Sequence, residues 1–279
     1  MYRVVILSLM LFSSLLYSYE RPEHISPKIW NQVSPYFLPE EHPIKHYLDE
    51  IFLKRRTLHS KQEVAESDFT LLEDKEYDLM VAKHSQFPGY LIKFYYDYHE
   101  VSRLGTRGEW PLWIKRIQGI GRVKRSIAAH KFGHLVKVPQ KWIYPLPPEA
   151  VEPFPYEDGR KNFRKNFILV EEDMEIVPAT VNQKMYQNMS QELLVALYTI
   201  LNETQLYDSV YIDNNPFSKD GKLTFVDTEE YDLKGVLYER ITPYLSFHNQ
   251  ELWQALISGD YPMNLVEAQN PQPDDAAYQ

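Results

Sequence analysis

Apolar residues at Ile44, Tyr47, Leu48, Ile51 and Phe52 recur at the i, i+3, i+4, i+7, i+8 spacing of a single helix face, with Pro43 where a first helical turn tolerates proline. An amphipathic helix is predicted there, and a polar connection runs on from Arg55 to Ser67. The pattern then becomes β-like in two blocks, Tyr77 to Ala82 and Tyr90 to Tyr96, joined through the turn Gln86-Phe87-Pro88-Gly89 as a hairpin. Helical spacing returns from Trp110 to Phe132, interrupted at Gly119-Ile120-Gly121, and Pro139 ends it. Dense proline between Pro139 and Pro155 reads as an irregular connection or a long surface loop. Phe167 to Val170 reads as a strand running into the acidic turn Glu171-Glu172-Asp173. Gln183 to Leu201 reads as a helix with Met189, Leu193, Leu194, Leu197, Ile200 and Leu201 on its apolar side. Short strands follow at Val210 to Ile212 and Leu223 to Val226, separated by the turn Ser218-Lys219-Asp220-Gly221. A last helix covers Val236 to Ile257, broken at Pro243, and the tail Ala268 to Gln279 has too little to bury to be ordered.

Composition narrows the class. A chain of 279 residues with 44% hydrophobic and 14% aromatic residues can bury a sizeable core, as one domain of two lobes or as two small domains. Met1-Tyr2-Arg3 followed by the apolar run Val4 to Tyr17 has the charge and length of a signal peptide ending at Ser18, too short to span a bilayer comfortably. Leu16 departs from the small-residue cleavage pattern, which keeps a retained anchor as the alternative. The expected location is secreted or cell envelope (periplasmic), with no membrane span after signal removal. There is no cysteine, which excludes disulfides, thiolate metal sites and cysteine nucleophiles together. The formal net charge of −9 repels nucleic acid, so a nucleic-acid partner is not expected.

The richest chemistry lies between Tyr207 and Glu229. An Asn, a short hairpin turning at Asp-Gly, and an apolar strand ending in Asp bring an amide oxygen and a carboxylate to one edge of a small sheet. Asn214 and Asp227 so placed are two hard oxygen ligands suited to Mg²⁺ against phosphate. Taken alone, the segment also reads as a plain surface hairpin with an Asp cap. Upstream, Lys93 in Gly89-Tyr90-Leu91-Ile92-Lys93 sits in an otherwise apolar strand and needs an anion or water at its tip, unless it snorkels from an edge.

These segments together resemble the protein-kinase-like superfamily, which also contains small-molecule phosphotransferases. Asn214 and Asp227 resemble that family's metal-binding Asn and D-F-G Asp, and the strand ending in Lys93 resembles its V-A-I-K strand. A hairpin with Lys, a helix, a strand ending in acidic residues, a long helix and the Asn to Asp hairpin come in the family's order, over roughly Tyr77 to Glu229. The resemblance implies an α+β, two-lobed kinase-like fold, with an N-terminal antiparallel sheet plus helices and a reduced, mainly helical C-terminal lobe. Along the chain this gives a signal at 1–18, an N-terminal helical extension at 19–67, an N-lobe at 68–174, a C-lobe at 175–267 and a tail at 268–279. It implies ATP and Mg²⁺ as cofactors, held by Lys93, Asn214 and Asp227, with Glu171 to Met174 as the hinge whose backbone meets adenine.

Departures from the pattern are as informative. Counting back from Asn214 as in H-R-D-L-x-x-x-N, the catalytic Asp falls on Ser209, with Tyr207 and Asp208 in place of His and Arg. A serine hydroxyl does not act unaided as a general base at neutral pH, so the carboxylate would come from Asp208 or Asp213. The D-F-G motif reads Asp227-Thr228-Glu229, no glycine-rich loop precedes Lys93, and Glu109 is the only candidate partner for that lysine. The expectation is therefore a pseudokinase-type binding or scaffolding module with a protein partner. The alternatives are an active atypical phosphotransferase and a structural or host-interaction protein of unrelated fold. Gly119-Ile120-Gly121 with Arg122, Lys124 and Arg125 reads as a helix break with a solvated basic face, and the pairs His42/His46 and His130/His134 have metal-ligand spacing without a third ligand. Two glycosylation sequons, at Asn188 and Asn202, both fall inside the predicted helix.

Overall fold

The computed structural model of the chain describes residues 19–73, 79–103, 106–148, 159 and 161–261. The signal, Tyr77 and Asp78 of the first β-like block, part of the proline-rich stretch and the tail lie outside them.

Alternating side chains decide how the centre of the molecule is built. Strands β1 (Phe69–Glu73), β2 (Met80–His84), β3 (Tyr90–Phe94), β7 (Lys141–Pro145) and β8 (Phe167–Glu172) form a five-stranded antiparallel sheet in the order β1-β2-β3-β8-β7. Among the described residues two minor pairs complete the strands: β4 (Ser102–Arg103) with β5 (Thr106–Arg107), and β6 (Val136–Lys137) parallel to β9 (Leu223–Thr224). In the register Lys93 faces Leu169, while Leu91 and Lys141 both face Glu171. Because successive side chains point to opposite faces, Lys93, Glu171 and Lys141 share one face of three adjacent strands.

Helices cover both faces. Residues 19–67 contribute α1 (Pro27–Val33), α2 (Lys45–Lys54) and α3 (Lys61–Glu66). Leu48 and Phe52 of α2 and Val64 of α3 pack with Ile92, Phe94 and Val170. The opposite face carries α4 (Trp110–Ala129), whose Leu112 and Trp113 pack with Ile143, Phe167 and Leu169. Burial on both faces is why β8 reads as an unbroken apolar run. Beyond the sheet, α5 (Ala179–Gln187), α6 (Gln191–Thr204) and α7 (Phe247–Ser258) gather around Leu194, Leu197, Ile200, Phe225 and Trp253. Val123 near the far end of α4 belongs to this second core, so one helix is anchored in the sheet at its start and in the helical half towards its end.

Several expectations are corrected. The helix at 110–129 is not interrupted at Gly119-Ile120-Gly121. A Cβ at Gly119 would run into the carbonyl of Thr228, so this glycine allows a close approach and does not break the helix. The proline-dense stretch contains β7, whose Pro145 stands at the strand's last position on the sheet edge. Glu171 and Glu172 belong to β8, and the chain leaves the sheet only at Asp173. The helix predicted over 183–201 is two helices, because the Oγ of Ser190 caps α6 by accepting from the Leu193 amide. Asn188 of the first sequon therefore lies in the turn between α5 and α6, while Asn202 lies within α6. Val210 to Ile212 is a turn with Val210 in the core. The last helix begins at Phe247, capped by Ser246 and preceded by two single 3-10 turns.

Candidate functional site

Three basic and three acidic side chains meet where the sheet, α4 and the segment after β9 converge. The sheet provides the first half. Lys93 is 7% exposed, and its Nζ lies 2.8 Å from Oε1 of Glu171, itself 2% exposed. Oε2 of Glu171 lies 3.0 Å from Nζ of Lys141, which also donates to the Val226 carbonyl at 2.7 Å. Burial alone would raise the Glu171 carboxyl, but Lys141 and Lys93 outweigh it and hold it down at about 2. Burial pushes the Lys141 ammonium down to about 8, opposed by Glu171 and reinforced by Lys93 and Arg116.

Arg116 of α4 organises the second half. Its Nη2 donates to Glu229 at 2.8 Å and lies 3.2 Å from both carboxylate oxygens of Asp227. Burial would raise the Glu229 carboxyl, and Arg116 with the local hydrogen bonds brings it below its ordinary value. The backbone is seated independently: the Thr228 hydroxyl donates to the Arg116 carbonyl at 2.9 Å. Arg116 Nε, Asp227 Oδ1 and Glu229 Oε2 are buried without a hydrogen-bond partner.

The loop between α6 and β9 leans on the same segment. Ser209 Oγ donates to the Asp227 carbonyl at 2.7 Å, Asn214 Nδ2 to the Asp208 carbonyl at 2.8 Å, and the Val226 amide to the Asn214 carbonyl at 3.1 Å. Asn215 Nδ2 also donates to the Ser209 carbonyl. Of the residues predicted for the site, Lys93 and Glu171 are therefore brought together directly, and Asn214 is brought beside the Asp227 strand. Asp208 is half-buried at the edge of this group, and Asp213 points to solvent. Half-buried Met174 lies beyond the end of β8, next to Asp173, whose amide donates to the Gly89 carbonyl and whose carboxylate pairs with Lys83.

This arrangement does not suit Mg²⁺ as it stands, because the ligand expected from Asp227 is neutralised by Arg116. Lys93 already has an anion at its tip, the Glu171 carboxylate. Glu109 is not the partner of that lysine: its Oε1 accepts from the Asn166 and Phe167 amides, tying the start of α4 to the start of β8. Burial pushes the Glu109 carboxyl up. It borders a cavity of about 230 Å³ with Ile25, Trp110 and Lys165, away from the ionic cluster. The two histidine pairs are divided among separate contacts. His42 packs on Tyr90 and Trp142, while His130 and His134 bond to Glu203 and Glu192. Among the described residues no group of three or more His, Cys, Asp or Glu is disposed to hold a metal ion, and no helix is long and apolar enough to cross a membrane.

Arg116, Lys141 and Glu229 were not foreseen as members of the site. Arg116 did carry a signal, since it falls on the stripe Leu112, Trp113, Ile120, Val123 that α4 buries. A charge on an apolar stripe demands a partner. Compared with known proteins, the chain matches no family model and no curated protein.

Proposed function

We infer that the chain is a protein-kinase-like module of the binding or scaffolding kind, exported, whose phosphate-handling positions are closed by its own side chains. The order of elements supports the fold part of this reading: an antiparallel sheet bearing Lys93, the helix α4 against it, the exit at Asp173, the helices α5 and α6, and the Asn214 to Asp227 hairpin. The observation that carries the functional part is Arg116 seated on Asp227. A guanidinium on that carboxylate offsets the charge that would attract Mg²⁺, and Glu171 occupies Lys93 as a competing anion. Ser209 donates to a backbone carbonyl and offers no base. Such a module acts through a protein partner.

The test is the melting temperature of the mature chain with ATP on the order of 1 mM, with and without Mg²⁺ or Mn²⁺. A ligand that binds the native state raises apparent stability by mass action. No shift is expected. A metal-dependent shift that disappears in Asp227→Ala overturns the closed-site reading. It would favour the active phosphotransferase, which the proximity of Asn214 to the Asp227 strand keeps as the second reading.

A further inference from the structure

The cavity of about 230 Å³ beside Glu109 lies apart from the ionic cluster and does not depend on how that cluster is read. Its apolar walls are Ile25 and Ile29 around the start of α1, Val101 and Trp110 ahead of and at the start of α4, and Phe163 and Phe167 on the approach to β8. Hydrogen bonds fix these walls in place. Asp97, 1% exposed, accepts from Arg56 at 2.8 and 2.7 Å and from the Lys165 amide at 2.9 Å, and Arg56 also donates to the Lys165 carbonyl at 2.6 Å. Glu100 and Arg164, which also line the cavity, carry opposite signs and favour neither charge alone.

Two buried charges border this space without meeting. Glu109 and Lys165 are each 2% exposed, and their hydrogen bonds among the described residues go to the backbone alone. Glu109 accepts the Asn166 and Phe167 amides through Oε1, which leaves Oε2 for a further donor. Lys165 Nζ donates to the His99 and Phe163 carbonyls, which leaves the third proton of the ammonium. Burial pushes the Glu109 carboxyl up and the Lys165 ammonium down, and each is the strongest charge that the other feels. A molecule carrying both charges would relieve both groups at once. Size decides the rest of that molecule: an apolar cavity of about 150 Å³ takes up benzene. The larger space here holds a ring or a branched chain together with a short charged head.

We propose that this cavity binds a free α-amino acid with an apolar side chain, its ammonium on Glu109, its carboxylate on Lys165 and its side chain against Ile25, Ile29, Val101 and Trp110. The pocket is small and largely apolar, with two polar groups that fix the orientation of what enters.

L-Phenylalanine is the probe, titrated into the full mature chain by isothermal calorimetry. Phenethylamine and 3-phenylpropionate, which each lack one of its two charges, are titrated beside it. Each analogue is expected to bind about tenfold or more weakly than L-phenylalanine, the factor that one charged hydrogen bond implies. Lys165→Met is expected to weaken L-phenylalanine by a similar factor and to leave phenethylamine unchanged, because that analogue has no carboxylate to lose. The proposal is overturned if either analogue binds as tightly as L-phenylalanine, or if Lys165→Met weakens phenethylamine equally. It is also overturned if L-phenylalanine at about 10 mM gives neither heat nor a rise in melting temperature. If far-UV circular dichroism shows Lys165→Met unfolded, Ile29→Trp takes its place, since it fills the cavity from a half-buried wall. Unchanged affinity for L-phenylalanine in that variant overturns the proposal.

Discussion

The two halves of the ionic cluster are built from the same chemistry and held in opposite ways. Lys93, Glu171 and Lys141 lie on one sheet face and are almost fully enclosed, so one carboxylate answers two ammonium groups. Arg116, Asp227 and Glu229 reverse the ratio, with one cation for two carboxylates, and Asp227 opens to solvent. Each half is unbalanced alone, and the hydrogen bond from Lys141 to the Val226 carbonyl sets them side by side. The difference separates two roles. An enclosed charge that has lost its partner cannot be rehydrated, so the inner half is fixed by burial, whereas the Asp227 side chain of the outer half is partly in contact with water.

The severest way to break this comparison is Glu171→Ala. It would leave two lysines buried without their shared anion, and removing one member of a buried pair costs about 3 to 5 kcal/mol. Urea unfolding of the variant should show a loss of that order or no folded protein at all. A loss below about 1 kcal/mol would mean that water reaches the lysines, against the enclosure described. The same residue sets an acid dependence. Its folded value of about 2 lies below the ordinary 4.5, so an unfolded chain takes up the proton first as the pH falls. The stability that Glu171 contributes is fully present above pH 4.5 and is lost as the pH drops towards 2. Glu171→Gln should flatten the curve of stability against pH in that window. An unchanged slope would show that other carboxylates govern acid unfolding.

Gly119→Ala comes next. Alanine favours a helix by about 1 kcal/mol over glycine, yet its Cβ would meet the Thr228 carbonyl, a backbone atom that cannot rotate away. Overpacking of this kind costs about 1 to 3 kcal/mol, so the net effect expected in urea unfolding is destabilisation. A more stable variant would show that the segment carrying Asp227 is not seated tightly on α4.

How much of this was legible in the sequence follows from how far apart the partners lie. The amphipathic helix near Ile44, the β3 strand and the hairpin turn at Asp220-Gly221 rest on local spacing and could be read directly. Lys93 was seen to need an anion, but the anion proved to be the side chain of Glu171, in a strand that runs two residues further than its apolar stretch. Glu109, the only candidate nearby in sequence, was spent on backbone amides. Lys141 was hidden because the prolines around β7 suggested a loop, and strand pairing with β8 overrode that local signal. Arg116 stood among other basic residues of α4, and only its position on the buried stripe distinguished it. The elements with strong local spacing were legible, while the ion pairs of the cluster join residues far apart in sequence.

The smallest effect is expected from Asp227→Asn, and it sharpens the contrast most. Arg116 keeps its 2.8 Å bond to Glu229 in this variant, and the side chain that loses its charge is 30% exposed, so water makes up much of what is removed. Ion pairs open to water are worth about 1 kcal/mol or less, and although Arg116 is buried it keeps Glu229 as its anion while the amide still accepts a hydrogen bond. Urea unfolding should therefore show a loss of about 1 kcal/mol or less, a fraction of that for Glu171→Ala. If the two losses were equal, the outer half would be as much a part of the structural core as the inner one. Its carboxylates would then have no freedom to change partners. A small loss would mark Asp227 as a charge on which the fold does not depend, in contrast to Glu171.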